Sequence, residues 1–77
     1  MNVFVLAYDR KGGELLRLHE YGPGDYDAAH EQLLIDERDY PAPDFEVVLL
    51  EAPSEEDLRR THLRYFEKME RHLEAVG

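Results

Sequence analysis

Apolar residues along this chain follow two rhythms, and the switches between them mark five elements. Asn2 to Tyr8 is β-branched and aromatic, with Val3, Val5 and Ala7 on one alternating set and Phe4, Leu6 and Tyr8 on the other. A strand apolar on both faces is central in its sheet and covered twice. Asp9-Arg10-Lys11-Gly12-Gly13 reads as a hairpin turn whose glycines supply the positive φ of a tight reversal. Glu14 to Tyr21 returns as a second strand, with Leu16 and Leu18 on one face and Leu15, Arg17, His19 and Tyr21 on the other; its polar content predicts an edge. Gly22-Pro23-Gly24 ends that strand. Asp25 or Asp27 then caps a helix to about Arg38, with Tyr26, Ala29, His30, Leu33 and Leu34 on its apolar stripe and Ile35 opposite. Tyr40-Pro41-Ala42-Pro43 stops the helix, because a residue before proline is pushed to extended geometry. Phe45 to Glu51 is a third strand, apolar on both sides. Ser54 caps a last helix running to Val76, with Glu55, Glu56 and Asp57 at its positive end.

The order ββαβα predicts an α+β fold: a three-stranded, mainly antiparallel sheet, first strand in the centre, two helices on one face. A single domain spans residues 1–77, with residues 67–77 a helical extension. Such packing leaves the other sheet face bare beneath Phe4 and Leu6, and a contiguous apolar patch marks a contact surface. The last helix offers a second surface. Leu58, His62, Tyr65, Phe66, Met69, Leu73 and Val76 share one stripe with His72 at its margin, and steps of four and three alternate along it as in a helix–helix seam. That helix measures about 33 Å against about 25 Å for a strand of this length, so the turns from Met69 onward overhang the sheet. The expected interface residues are Phe4, Leu6, Tyr65, Met69, His72, Leu73 and Val76, and the expected partner is a second copy of the chain.

Size and charge agree with that picture. A chain of 77 residues buries only about 60% of its unfolded surface, and domains this small gain from a partner subunit. The absence of cysteine excludes disulfides and thiolate metal sites. No apolar run approaches the roughly 18 residues of a membrane span, and Met1 to Leu6 lacks the basic start of a signal peptide. A cytoplasmic, non-membrane protein is expected. Eighteen acids against nine bases give a net charge of -9. That argues against nucleic acid, whose phosphates need a positive surface, and suits a basic protein partner.

The candidate polar cluster is Thr61, His62 and Arg64, beside Tyr65. As a general base or ligand, His62 needs a cleft and a positioned partner; as a packed residue it needs only a carbonyl or carboxylate to hydrogen-bond. His30 and His62 could meet if both helices share one sheet face. A zinc site, however, requires three or four converging ligands, and His19, His30, His62 and His72 lie on different elements with no His-x3-His spacing. No metal or cofactor is expected. Arg60, Arg64, Lys68 and Arg71 form a basic stripe, for which pairing at i,i+4 (Glu55 to Arg59, Glu56 to Arg60, Glu67 to Arg71) is favoured over a docking role. The glycines lack the spacing and lysine of a phosphate loop, and no nucleophile elbow or paired carboxylates occur, so no catalytic residue is assigned.

The hairpin Tyr-Asp-Arg-Lys-Gly-Gly-Glu-Leu (8–15) and the run Ser-Glu-Glu-Asp-Leu-Arg-Arg-Thr-His-Leu-Arg-Tyr-Phe (54–66) resemble a group of small uncharacterised proteins from GC-rich bacteria, over residues 1 to 66. The resemblance implies a bacterial protein and carries over no activity or site residue. The residues themselves point to a non-enzymatic, self-associating domain, a homodimer. Two rivals stand beside it. An acidic regulatory or antitoxin-like protein binding a basic partner needs its acids clustered on one face. A small enzyme or ligand binder needs Thr61, His62, Arg64 and Tyr65 to converge on a pocket.

Overall fold

The computed structural model describes residues 1–68. The strands are β1 (Asn2–Asp9), β2 (Glu14–Tyr21) and β3 (Phe45–Ala52). Helix α1 spans Tyr26–Asp39 and α2 spans Glu55–Thr61, followed by a 3-10 turn over Leu63–Tyr65. The sheet order is β2-β1-β3 with both pairings antiparallel. The fold is therefore α+β in ββαβα order with β1 central, as the two-faced apolar pattern of that strand predicts. Val3 to Ala7 are all buried.

The helices do not share a face. Alternation along β1 splits the interior into two cores. Val3 and Val5 pack with Ala29 and Leu33 of α1 and with Leu49, whereas Phe4 and Leu6 pack with Leu58 of α2 and with Tyr65 and Phe66. Successive strand residues point to opposite faces, so α1 and α2 cover opposite sides of the sheet. The two apolar sets of β1 explain the split: Val3 and Val5 on one face and Phe4 and Leu6 on the other each need cover, and one helix is available for each. The bare face expected from the sequence does not exist: Phe4 and Leu6 are fully buried inside the chain, and Tyr65 is 5% exposed. His30 and His62 lie on opposite sides of the sheet and do not meet. Met69, His72, Leu73 and Val76, with the expected overhang, lie outside the described residues.

Three local departures follow from packing. Ala7 pairs with Arg17 but Tyr8 with Leu15, a bulge that places Leu16 between ladder positions. Leu15 thereby joins Leu18 on the α2 side, while Leu16 is 37% exposed. The last helix breaks at His62 (φ -124°, ψ 50°). Thr61 Oγ1 donates to the Asp57 carbonyl at 2.9 Å, a back-bond that bends helices. The break turns Tyr65 and Phe66 down onto Phe4 and Leu6. Ser54 caps α2 as expected, accepting the Asp57 backbone N–H at 3.2 Å.

In α1 the expected apolar stripe is only partly used. Ala29 is buried and Leu33 packs on the sheet, but His30 is exposed, as are Tyr26 (49%) and Leu34 (55%). Asp36 is fully buried instead. The cause is Arg17, which shares the α1 face with Ala7. Its Nη1 donates to Asp36 Oδ1 at 2.9 Å, and Gln32 Nε2 donates to the same oxygen at 2.9 Å. A buried carboxylate persists only with such partners.

Candidate functional site

Thr61, His62 and Arg64, with Leu63 and Tyr65, line a shallow concavity of about 420 Å³ formed where α2 ends. Proximity is as far as the cluster goes. Thr61 Oγ1 is engaged by its own helix and lies 2.9 Å from His62 Nδ1. Arg64 swings away, its Nη2 donating to Glu46 Oε2 at 2.7 Å and to the Tyr65 hydroxyl at 2.7 Å. A general base needs a free ring nitrogen held by a second group and facing a substrate. Here Thr61 Oγ1 holds His62 through Nδ1 while donating to the Asp57 carbonyl, and Arg64 is paired with Glu46. Among the described residues no group of three or more metal-ligating side chains occurs. Of the basic stripe, Arg60 pairs locally, with Asp57 rather than Glu56, whereas Arg64 pairs with Glu46 of β3 and Lys68 Nζ donates to the Gly12 carbonyl at 3.2 Å; Arg59 pairs with Glu55 at 2.9 Å as the spacing predicts, and Arg71 lies outside the described residues.

Glu46, Tyr65 and Arg64 form a latch that fixes the segment after α2. The Tyr65 hydroxyl donates to Glu46 Oε2 at 2.6 Å, its ring packs edge-on against Tyr8 at 5.1 Å, and the Arg64 guanidinium lies 4.2 Å from the Tyr65 ring centre. Burial pushes the Glu46 carboxyl up, but the hydrogen bonds from Tyr65 and Arg64 outweigh it and hold it below its usual range. Burial, and then the bond to Glu46, push the Tyr65 phenol up to about 12. Unfolded tyrosine ionises near 10, so this contribution to stability is intact below about pH 10 and is lost as pH rises through about 12. Absorbance titration should show one late-ionising tyrosine that disappears in Tyr65→Phe. Superimposable high-pH curves for the two proteins would mean that the latch is not formed in solution.

The most distinctive surface is one the candidate residues do not include. Both β2 and β3 are sheet edges, and they differ in chemistry. β2 carries the bulge, Glu14, Arg17 and Glu20, devices that discourage pairing with a further strand. β3 pairs with β1 without a bulge, contains neither proline nor lysine, and runs uncharged from Val47 to Leu50. Its residues Phe45 to Leu50 are all only half-buried. An open concavity of about 460 Å³ lies along its start, where Arg10, Glu37, Tyr40 and Pro41 surround Phe45 to Val48. The hydrophobic run was legible in the sequence, but its place at an edge follows only once β1 takes the centre.

Acidic residues are distributed over every strand and helix. Among the described residues no helix is long and apolar enough to cross a membrane. No family model matches the chain, and no curated protein or solved structure matches it either. The resemblance drawn from residues 8–15 and 54–66 therefore rests on those residues alone.

Proposed function

We propose that this chain is a non-enzymatic, self-associating interaction domain, and that the surface it uses is the free edge of β3. The observation that carries the reading is the contrast between the two edges: β2 is bulged and charged, whereas β3 offers four consecutive uncharged apolar residues in an unbroken ladder. Exposed edges of that kind pair with another strand through main-chain hydrogen bonds, with alternate side chains supplying selectivity. Because Phe4 and Leu6 are internal, the homodimer expected from the sequence moves from a sheet face to a sheet edge. A cysteine-free, acidic chain suits the reducing cytoplasm.

Sedimentation equilibrium is expected to give a dimer at high micromolar concentration. Amide exchange should then be slow along all of β3, because a lone edge strand protects only the alternate N–H groups that bond β1. A monomer under those conditions, or protection at alternate β3 residues only, overturns the reading.

A further inference from the structure

We infer that two copies join antiparallel through β3 in a register centred on Val48 or Leu49, bringing their α1 helices together on one face of a six-stranded sheet. The inference rests on the self-association reading and specifies its geometry. Residues directly opposite in an antiparallel pair share a face. In β3, Val47, Leu49 and Glu51 lie on the α1 side and Glu46, Val48 and Leu50 on the α2 side, since their β1 partners are Ala7, Val5 and Val3 in the first case and Tyr8, Leu6 and Phe4 in the second. A symmetric pairing must therefore centre on a residue rather than between two. Centred on Val48, it sets Val47 opposite Leu49, Glu46 opposite Leu50 and Phe45 opposite Glu51. Centred on Leu49, it sets Val48 opposite Leu50 and Val47 opposite Glu51. Neither register opposes two acids, which matters for a chain of charge -9. Sliding the centre to Glu46 or Glu51 would place that acid against its own copy.

The two-fold axis then stands normal to the sheet, so α1 meets α1 and the α2 side meets the α2 side. Helix α1 lies over the central strand β1 and also packs on Tyr21 of β2 and Leu49 of β3. About three strand spacings, roughly 14 Å, would separate the α1 axes, a gap that side chains reaching from both helices bridge. The flank of α1 turned towards that gap is identified by its neighbours. Asp36 and Asp39 reach Arg17 of β2, whereas Glu37 borders the concavity with Phe45 and Val47 of β3. His30, Leu34 and Glu37 follow one another at steps of four and three and so share the β3-side stripe. In an antiparallel helix pair centred near Leu34, His30 of each copy comes alongside Glu37 of the other, and the half-exposed Leu34 residues meet at the axis. The stripe thus sets an imidazole beside a carboxylate and apolar surface against apolar surface. Ile35 lies on the opposite flank, four residues before Asp39 and towards β2.

The test compares Leu34→Glu with Ile35→Glu by sedimentation equilibrium, with amide exchange on β3. Both positions are exposed (55% and 39%), so both variants keep the fold, which circular dichroism checks. Leu34→Glu sets two carboxylates against each other at the axis and should weaken the dimer by at least about tenfold, while Ile35→Glu leaves it unchanged. If β3 is fully protected and the wild type is dimeric, yet the two variants behave alike, the α1 arrangement is overturned and the edge reading survives. If the wild type is monomeric, the edge reading falls and takes this arrangement with it.

Discussion

Phe66→Ala is expected to remove a large share of the stability of this domain. Phe66 comes after the end of α2, yet its ring is fully buried and packs with Phe4, Leu6 and Leu58 on the α2 side of the sheet. The Arg59 guanidinium covers it at 5.2 Å. Truncating a buried phenylalanine to alanine costs about 3–5 kcal/mol. A chain of this size is stable by roughly 4–11 kcal/mol, so the variant should unfold at a much lower urea concentration with a similar slope. Ile35→Ala, at an exposed position on the flank of α1 away from the proposed interface, provides the comparison and should change stability by about 0.5 kcal/mol or less. The contrast is specific to helices on opposite faces. If Phe66→Ala were no more costly than Ile35→Ala, the segment after α2 would not be closing the second core.

Asp36→Ala should have the next largest effect, by a different mechanism. Asp36 is fully buried under α1, and its Oδ1 accepts from Arg17 and Gln32. Its Oδ2 faces His19 Nε2 at 3.7 Å, too long for a hydrogen bond, and neither atom has a hydrogen-bond partner. Removing the carboxylate leaves the donors beneath α1 unpaired, and each buried unsatisfied group costs about 1–3 kcal/mol. Arg17 retains Asp39 at 3.3 Å and the Tyr40 ring at 4.9 Å, which limits the loss. The mechanism can be separated from simple cavity formation. Asp36→Leu combined with Arg17→Met replaces both partners by apolar groups and should recover most of the stability lost in Asp36→Ala. Equal destabilisation in single and double variants would place the effect in packing rather than in the unpaired polar groups.

Much of the fold was legible because period-two alternation and turn residues are local signals. The centre of the sheet could be named because β1 alone is apolar on both faces without interruption. The Leu16 bulge was not legible, since one inserted residue leaves composition untouched while moving Leu15 to the other face. Nor was Asp36, whose burial depends on Arg17 arriving from a strand 19 positions away. The partners of the polar cluster were not legible for a related reason. Thr61 and His62 stay within 2.9 Å of each other, but the pull of Glu46 turns Arg64 to another partner, which sequence adjacency does not reveal.

The amino-acid sequence by itself determined the elements, their order, the central strand and the Ser54 cap, all properties of side-chain periodicity and short-range hydrogen bonding. Only the tertiary structure decided which face each helix covers, and hence which apolar residues remain at the surface. The reason is global: β1 presents buried apolar residues on both faces, so α1 and the segment from α2 to Phe66 divide the two faces between them. With Phe4 and Leu6 closed in, the half-buried run Val47 to Leu50 at the β3 edge and the exposed Leu34 beside it are the surface proposed for a second copy.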